Sequence, residues 1–145
     1  MNRIVHSPRA LWIALGVALM LAMAPAAFAA PDAAMFAKCA KACQSCMTAC
    51  KACNTHCEGM IKAGMKEHQK SAAVSADCRD LCDVAAKLCA RKGPMTPAAC
   101  QACIEACNAC DAECKKYPKM KPMADCSKAC EACSKACKEM IAMSK

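Results

Sequence analysis

Residues 39–57 read CAKACQSCMTACKACNTHC, and the intervals between successive cysteines are 4, 3, 4, 3 and 4. Side chains three and four positions apart lie on the same face of an α-helix. Alternating steps of three and four give the a/d stripe of a heptad repeat. The pattern therefore predicts one long helix that carries six cysteines on a single face.

The same rhythm returns in residues 100–114 and again in residues 126–137. A further segment, residues 78–89, has cysteines four and seven positions apart, with Ala85 at the skipped position. Four cysteine-striped helices with short connections favour an antiparallel up-and-down four-helix bundle. The predicted fold class is all-α, with a cysteine-lined core.

Residues that start and stop helices give approximate borders for the four segments: 33–66, 72–92, 97–116 and 122–143. We expect Asp32 to cap the first helix, and Thr96 to cap the third ahead of Pro97. For the second helix, the expected N-cap is Ser71 or Ser75.

The topology also predicts which residues meet at the two ends of the bundle. One end, called the histidine end below, gathers His56, Met60, Met65, His68, Tyr117, Met120 and Met123. The opposite end gathers Met35, Met95, Met140 and Met143. Methionine at helical spacing is more often packing than a ligand, so we expect Met47 and Met95 to be core filler.

The N-terminus has the three parts of a secretory signal peptide. Arg3 and Arg9 supply positive charge, and residues 11–24 form an uninterrupted apolar run. Small residues at 27–29 provide a cleavage site. The apolar run is shorter than the roughly 20 residues that a membrane anchor needs. We therefore expect no membrane attachment after cleavage.

The expected domain organisation is a signal peptide over residues 1–29 and one cysteine-rich bundle over residues 30–145. The expected location is the periplasm. Because the two arginines are separated rather than adjacent, unfolded export by the Sec route is favoured over a twin-arginine route.

The charge pattern argues against a nucleic-acid partner. The formal net charge of +8 falls to +6 once Arg3 and Arg9 leave with the signal, and the lysines are spread along the helices without a block. The chain beyond residue 29 has no Trp, one Tyr and one Phe. It therefore lacks the aromatic platforms on which single-stranded nucleic acids stack, and we expect the lysines to form a solvated outer face.

The hydrophobic share of 57% comes mainly from Ala, Cys and Met. Leu, Ile, Val and Phe occur only eight times beyond the signal: Phe36, Ile61, Val74, Leu81, Val84, Leu88, Ile104 and Ile141. So small a share normally indicates a chain that cannot bury a core. The 18 cysteines, all beyond the signal, are therefore expected to occupy the interior.

Several roles are open to these cysteines. Disulfides are the usual choice in an exported chain, but two cysteines one helical turn apart are badly placed for one, so bridges would have to join different helices. Cysteine also serves as a small buried hydrophobe. A core of nearly all cysteine, however, would leave costly cavities along the axis, and this favours an occupant.

A soft metal ion fits such a space, because thiolates select Cu(I), zinc or iron–sulfur clusters. Structural zinc prefers closed tetrahedral sites, and iron–sulfur clusters use particular short spacings. Cu(I) accepts two or three sulfurs, and a thiolate can bridge one ion to the next, which suits an unbroken stripe. Burying uncompensated charge is expensive, so charge balance predicts about one Cu(I) per cysteine, on the order of 18 in a filled bundle.

The predicted ligands are all the cysteines, namely Cys39, Cys43, Cys46, Cys50, Cys53, Cys57, Cys78, Cys82, Cys89, Cys100, Cys103, Cys107, Cys110, Cys114, Cys126, Cys130, Cys133 and Cys137. His56, Met60 and Met65 are added at the histidine end, where imidazole and thioether groups would meet incoming Cu(I). If copper fills the core as well as being cargo, loading should raise the melting temperature.

The chain resembles the copper storage proteins, a family of cysteine-lined four-helix bundles. The segments that carry the resemblance are CNTHCEGM at residues 53–60, ACQACIEACNACDAECKKYP at residues 99–118 and CSKACEACSKAC at residues 126–137. The resemblance implies that the stripe cysteines bind Cu(I), with His56 and Met60 at the open end where copper enters. It also implies a homo-oligomer, since tetramers occur in the family, and a link to copper-dependent enzymes.

Two rival functions stay open at this point. A copper chaperone or a detoxification sponge would use the same ligands, and a disulfide-stapled structural protein would use the cysteines differently. An enzyme is not expected, because the core has no acid–base pair and the histidines are few.

Overall fold

The computed structural model describes residues 32–144, so the predictions for residues 1–29 lie outside it. Over the described range the chain forms four α-helices: α1 (Ala33–Lys62), α2 (Gln69–Ala90), α3 (Thr96–Cys114) and α4 (Lys121–Ala142). One turn of 3-10 helix, Lys66–His68, precedes α2. The predicted all-α class is confirmed.

The four helices form a square bundle in which every helix packs against two neighbours. α1 and α3 each pack against both α2 and α4. Helices that follow one another are joined by short connections and run antiparallel, so α1 and α3 are parallel and lie diagonally across the axis, as do α2 and α4. This is the predicted up-and-down arrangement.

The first helix is shorter than predicted, ending at Lys62 rather than near residue 66. Gly64 takes a left-handed φ of 95° and donates its N–H to Ile61 O at 3.0 Å, while the Met65 N–H donates to Met60 O at 3.0 Å. These two bonds close the helix with a Schellman motif, a conformation that glycine adopts without steric cost. The second helix begins at Gln69, before the predicted start at residue 72.

One of the predicted caps is confirmed. The Asp32 carboxylate accepts from the Ala34 N–H at 3.1 Å, as expected at the start of α1.

The other predicted caps are wrong. Ser71 and Ser75 lie inside α2 and are buried, because the short 3-10 turn starts the helix before them. Thr96 is the first residue of α3 rather than its cap. Its hydroxyl donates to Gly93 O at 2.6 Å and so closes the preceding turn instead.

Cysteine and alanine fill the core, as the composition predicts. All 18 cysteines are buried, and Ala85 lies among them with no exposed surface. Of the eight branched or aromatic apolar residues, only Leu88 and Ile104 are buried. The interior is therefore built mainly from short side chains, with Met123 and Met140 the largest side chains that are fully buried.

The lysines lie on the outside, as predicted, and every lysine between residues 32 and 144 is exposed. Several pair with carboxylates one turn away, for example Lys115 with Asp111 at 2.6 Å. Within residues 32–144, none of the helices combines the length and the apolar character needed to cross a membrane.

Candidate metal centre

The cysteine stripes of the four helices face a common axis. The cysteines of each helix are three, four or, across Ala85 in α2, seven residues apart, so successive thiols of one helix point to the same side. Every cysteine is at most 1% exposed. The heptad spacing along the chain has thus become a column of thiols inside the bundle.

Helices α1 and α3 hold their thiols in matched layers across the axis. The Sγ–Sγ distances are 3.7 Å for Cys39 with Cys100 and 3.8 Å for Cys46 with Cys107. One further heptad along, Cys53 and Cys114 are also 3.8 Å apart. Because the two helices are parallel, each step of seven residues on both repeats the same contact.

Helices α2 and α4 add thiols across the other diagonal. Cys78 Sγ lies 4.0 Å from Cys130 Sγ, and Cys82 Sγ lies 3.9 Å from Cys133 Sγ. The shortest thiol pair is Cys82 with Cys103, at 3.4 Å.

Together the sulfur contacts form one connected network that includes every cysteine. It starts at Cys89, whose Sγ is 4.0 Å from Cys100 Sγ. It ends at Cys57, which joins through the thioether of Met123. An ion placed along this path, away from its two ends, would have sulfurs within reach on both sides.

The thiols fall into groups that suit metal coordination. In each group the sulfurs lie within 4.8 Å of one another, and examples are Cys43/Cys103/Cys133/Cys137, Cys46/Cys78/Cys107/Cys130, Cys46/Cys82/Cys107/Cys133 and Cys50/Cys78/Cys110/Cys130. A three-coordinate ion with metal–sulfur bonds of about 2.3 Å places its ligands about 4 Å apart. The observed contacts are close to this spacing.

The groups overlap, which bears on which metal they suit. Cys46 and Cys107 each belong to two groups, so their sulfurs would bridge neighbouring ions. Structural zinc prefers separate, closed tetrahedra. Shared thiolates of low coordination number are better matched to Cu(I), a soft ion.

All 18 cysteines are free thiols in the structure. The contacts that join the network run between the helices as well as along them, and Cys46, Cys78 and Cys82 each have sulfur neighbours from two other helices. The thiols are therefore arranged as a shared ligand set rather than as fixed pairs.

The environment of the column shifts the thiol pKa values. Burial raises the pKa of Cys57 above its usual value. A hydrogen bond with Cys100, together with burial, raises the pKa of Cys89 to about 12. At the same end, hydrogen bonds from Cys100 and Cys137 lower the pKa of Cys39 to about 5. Thiols with a raised pKa stay protonated at neutral pH until a cation replaces the proton.

At the histidine end, two aromatic rings pack against each other. His68 and Tyr117 have ring centroids 4.4 Å apart, and the Tyr117 hydroxyl donates to Glu67 O at 3.5 Å. This contact joins the α1–α2 connection to the α3–α4 connection, so the prediction that they share one end of the bundle is confirmed.

Two imidazole nitrogens at the histidine end have no hydrogen-bond partner. They are His56 Nε2 and His68 Nδ1, and both atoms are buried. Buried polar groups in proteins are almost always paired. Unpaired nitrogens beside a column of soft ligands are suited to a passing soft cation.

The structure places the predicted histidine-end residues together on α1 and just after it. Met60 lies one turn after His56, and both are half-buried. Met65, also half-buried, follows the end of α1. At the opposite end, Met95 is 61% exposed, so the expectation that it fills the core is wrong. Met47 does pack against the core.

Sequence reasoning placed Met123 at this end but did not include it among the ligands. Its side chain is fully buried, and its Sδ lies 3.3 Å from Cys53 Sγ and 3.6 Å from Cys57 Sγ. The cysteine spacing does carry a signal for this position, since Met123 lies three residues before Cys126 and continues the stripe of α4. His68 was also left out of the ligand set, although it is 1% exposed.

Solved structures of copper storage proteins resemble this bundle. The cytosolic copper storage protein of Streptomyces lividans, solved with five coppers, is 30% identical, with a TM-score of 0.69, and the match covers 76% of this chain and 94% of that one. The same organism's protein loaded with 10 copper equivalents gives 30% identity, a TM-score of 0.71, and coverage of 83% and 93%.

The Cu(I)-bound copper storage protein BsCsp3 is 29% identical, with a TM-score of 0.65, and the match covers 74% of this chain and 98% of that chain. No curated protein sequence matches the chain significantly. The family model described as copper storage protein matches residues 32–142, which is nearly the whole described bundle. The chain therefore belongs to the copper storage protein family.

Proposed function

We propose that this protein stores copper by binding many Cu(I) ions along its thiol column. The observation that carries the proposal is the single network of sulfur contacts that joins all 18 cysteines inside the bundle. The proposed ligands are these cysteines, with His56, Met60 and Met65 at the histidine end. Membership of the copper storage protein family supports this reading.

Charge supports a high capacity. Each bound Cu(I) replaces thiol protons, and a lone ion between two thiolates would leave a buried negative charge. If each thiolate bridges two ions, the charge balances near one Cu(I) per cysteine. The overlapping thiol groups provide the shared sulfurs that such bridging needs.

Burial supports storage over one-ion delivery. A copper chaperone hands over an ion from an accessible site, whereas these thiols are at most 1% exposed. Ions held along the axis would leave only by passing from sulfur to sulfur towards an end. Such an arrangement favours capacity, and it is also compatible with a detoxification sponge.

We further propose export to the periplasm, with a signal peptide over residues 1–29 and the bundle as one domain over residues 30–145. The N-terminal sequence pattern supports export. Family membership leaves the location open, since one structural relative is cytosolic. Cell fractionation and the N-terminal mass of the purified protein test this proposal: cleavage near Ala30 agrees with it, and an intact N-terminus in the cytosol contradicts it.

The proposed partners follow from the same function. Copper-dependent enzymes or copper chaperones would receive the stored ions, and the copper itself is cargo rather than a catalytic cofactor. We propose no enzymatic activity. A homo-oligomer such as a tetramer is tested by sedimentation of the apo and loaded protein.

The proposed function is tested by anaerobic titration of the reduced protein with Cu(I) against a competing chelator. We expect tight binding to continue well beyond ten ions and to approach about one per cysteine. Protein with alkylated thiols serves as the control and should bind few ions. Saturation of the reduced protein at one or two ions contradicts the proposal, as does a protein purified without reductant whose cysteines are all disulfide-bonded.

A further inference from the structure

Met123 is buried where α4 begins, at the histidine end of the thiol column. Its side chain has no exposed surface. Its Sδ lies 3.3 Å from Cys53 Sγ and 3.6 Å from Cys57 Sγ. These two cysteines are one turn apart on α1, so three sulfurs from two helices surround one point.

We propose that Cys53, Cys57 and Met123 form a mixed thiolate–thioether Cu(I) site that terminates the column. The proposal rests on the proposed storage function, because it assigns one further ligand and one particular site within it.

The hydrogen bonds at this point explain why the three sulfurs form a site rather than ordinary packing. Both thiols donate to Met123 Sδ, which accepts through its lone pairs. If the two protons leave, three sulfurs with lone pairs face one another without a donor. A soft cation can then take the place of the protons and accept the sulfur lone pairs, because thioether and thiolate are both soft ligands.

The geometry is close to that of a three-coordinate ion. Metal–sulfur bonds of about 2.3 Å require ligand sulfurs about 4 Å apart. The contacts of 3.3 and 3.6 Å are about 0.7 and 0.4 Å shorter than this spacing, so the sulfurs would have to move apart by well under 1 Å to admit the ion. Cu(I) would enter as the two thiol protons leave to solvent, and no electron is transferred.

Met123 also has a particular place in the network. Among residues 32–144, its thioether is the sulfur through which Cys57 joins the other thiols by hydrogen bonding. Cys57 is adjacent to His56, whose Nε2 has no partner. The proposed site therefore lies between the residues of the histidine end and the thiol-only part of the column.

A neutral third ligand should make this ion the most exchangeable of the set. The thioether adds no negative charge, whereas a third thiolate would hold Cu(I) by a further charge interaction. The terminal position also gives this ion the shortest path out. We expect it to be held most weakly at equilibrium and to be released first.

Met140 provides a matched control within the same helix. It lies near the other end of α4 and is as completely buried as Met123. Among residues 32–144, its sulfur makes no hydrogen bond to a thiol, and the Ser144 hydroxyl donates to its backbone oxygen. Replacing either methionine with leucine nearly preserves volume and should cost little stability.

The experiment compares wild type, M123L and M140L by anaerobic Cu(I) titration and by stopped-flow release to a chelator. We expect M123L to hold one ion fewer, or to release its first ion at least about tenfold faster, while M140L matches wild type. Identical counts and release rates for M123L and wild type overturn the proposal, since Met123 would then only fill space. Wild-type protein that binds only one or two ions overturns the storage function itself, which is a distinguishable result.

A second readout does not depend on the leucine variant folding. In wild-type protein with ¹³C-labelled methionine methyl groups, coordination should shift one buried methyl resonance as the last ion is added. M123C, which puts a thiolate at the same point, should hold that ion more tightly. An unshifted Met123 resonance at full loading contradicts the proposal.

Discussion

Cys46 Sγ lies 3.8 Å from Cys107 Sγ, although the two residues belong to helices that are diagonally opposite in the bundle. Side chains as short as cysteine can meet across a diagonal only where four helices are close together. The same closeness recurs one heptad away in each direction. The thiols thus act both as the core and as the ligand set.

A cysteine at position 85 should extend the column. Ala85 is fully buried between the positions of Cys82 and Cys89, and it interrupts the stripe of α2. We expect A85C to bind about one additional Cu(I) per chain, counted by native mass spectrometry after anaerobic loading. V84C is the control, because Val84 is 48% exposed and its thiol would lie outside the column. Equal gains in both variants would show that position in the column does not matter.

Copper loading should raise the melting temperature considerably. The core lacks branched aliphatic side chains, and ions that bind the folded bundle alone stabilise it by mass action. A single site at 1,000 times its Kd contributes about 4 kcal/mol. Differential scanning calorimetry of the apo and loaded protein measures the change, and removal of copper by a chelator should reverse it. A melting curve unchanged by loading would show that copper binding does not stabilise the folded bundle.

The apo bundle should lose stability at alkaline pH. The pKa of Cys57 is raised by burial, and that of Cys89 is raised to about 12. In the unfolded chain these thiols ionise near their ordinary value of 9.0, so the unfolded state releases protons first as the pH rises. Their contribution is complete below pH 9 and is lost towards pH 12. Cys39, whose pKa is lowered to about 5, adds stability as the pH rises from about 5 to 9 and changes nothing above that range.

Urea unfolding of the reduced apo protein at several pH values tests this expectation. The denaturation midpoint should fall as the pH rises from 9 to the folded-state pKa of Cys89, about 12. A midpoint that rises over this range would contradict the raised pKa values.

Two substitutions at helix ends should change stability in opposite directions. Gly64 and Lys92 both have left-handed backbone conformations, with φ of 95° and 52°. G64A should destabilise the bundle by about 1 kcal/mol, because a Cβ is unfavourable in the left-handed conformation of residue 64. K92G should stabilise the bundle by about 0.5–1 kcal/mol, because glycine adopts the same conformation without that cost. Urea unfolding of the apo protein measures both. A loss of stability in both variants would mean that contacts of the side chains outweigh the backbone preference.

The cysteine periodicity was enough to predict the bundle and the contents of its core. Steps of three and four place side chains on one face whatever the neighbouring residues are. The shortage of Leu, Ile, Val and Phe then left cysteine as the residue able to occupy the interior. The spacing is a local property and the shortage of aliphatic residues is a property of the composition, so both can be read from the sequence without knowing how the helices pack.

The errors arose where the outcome depends on tertiary contacts. Ser71 and Ser75 suit an N-cap, yet the turn before α2 places both inside the helix. Met95 looked like core filler but lies at the exposed start of α3. Met123 continues the α4 stripe three residues before Cys126, which indicates a core position, but its contact with Cys53 and Cys57 depends on how the first turn of α4 lies against α1.

The most direct test of the thiol column is a crystal structure of the anaerobically loaded protein, with copper located by anomalous scattering. We predict a row of copper ions along the bundle axis, each within bonding distance of two or three sulfurs, from the layer of Cys39 and Cys100 to that of Cys53 and Met123. Copper confined to the surface or to one end, with the axial thiols unligated or paired as disulfides, would contradict the account.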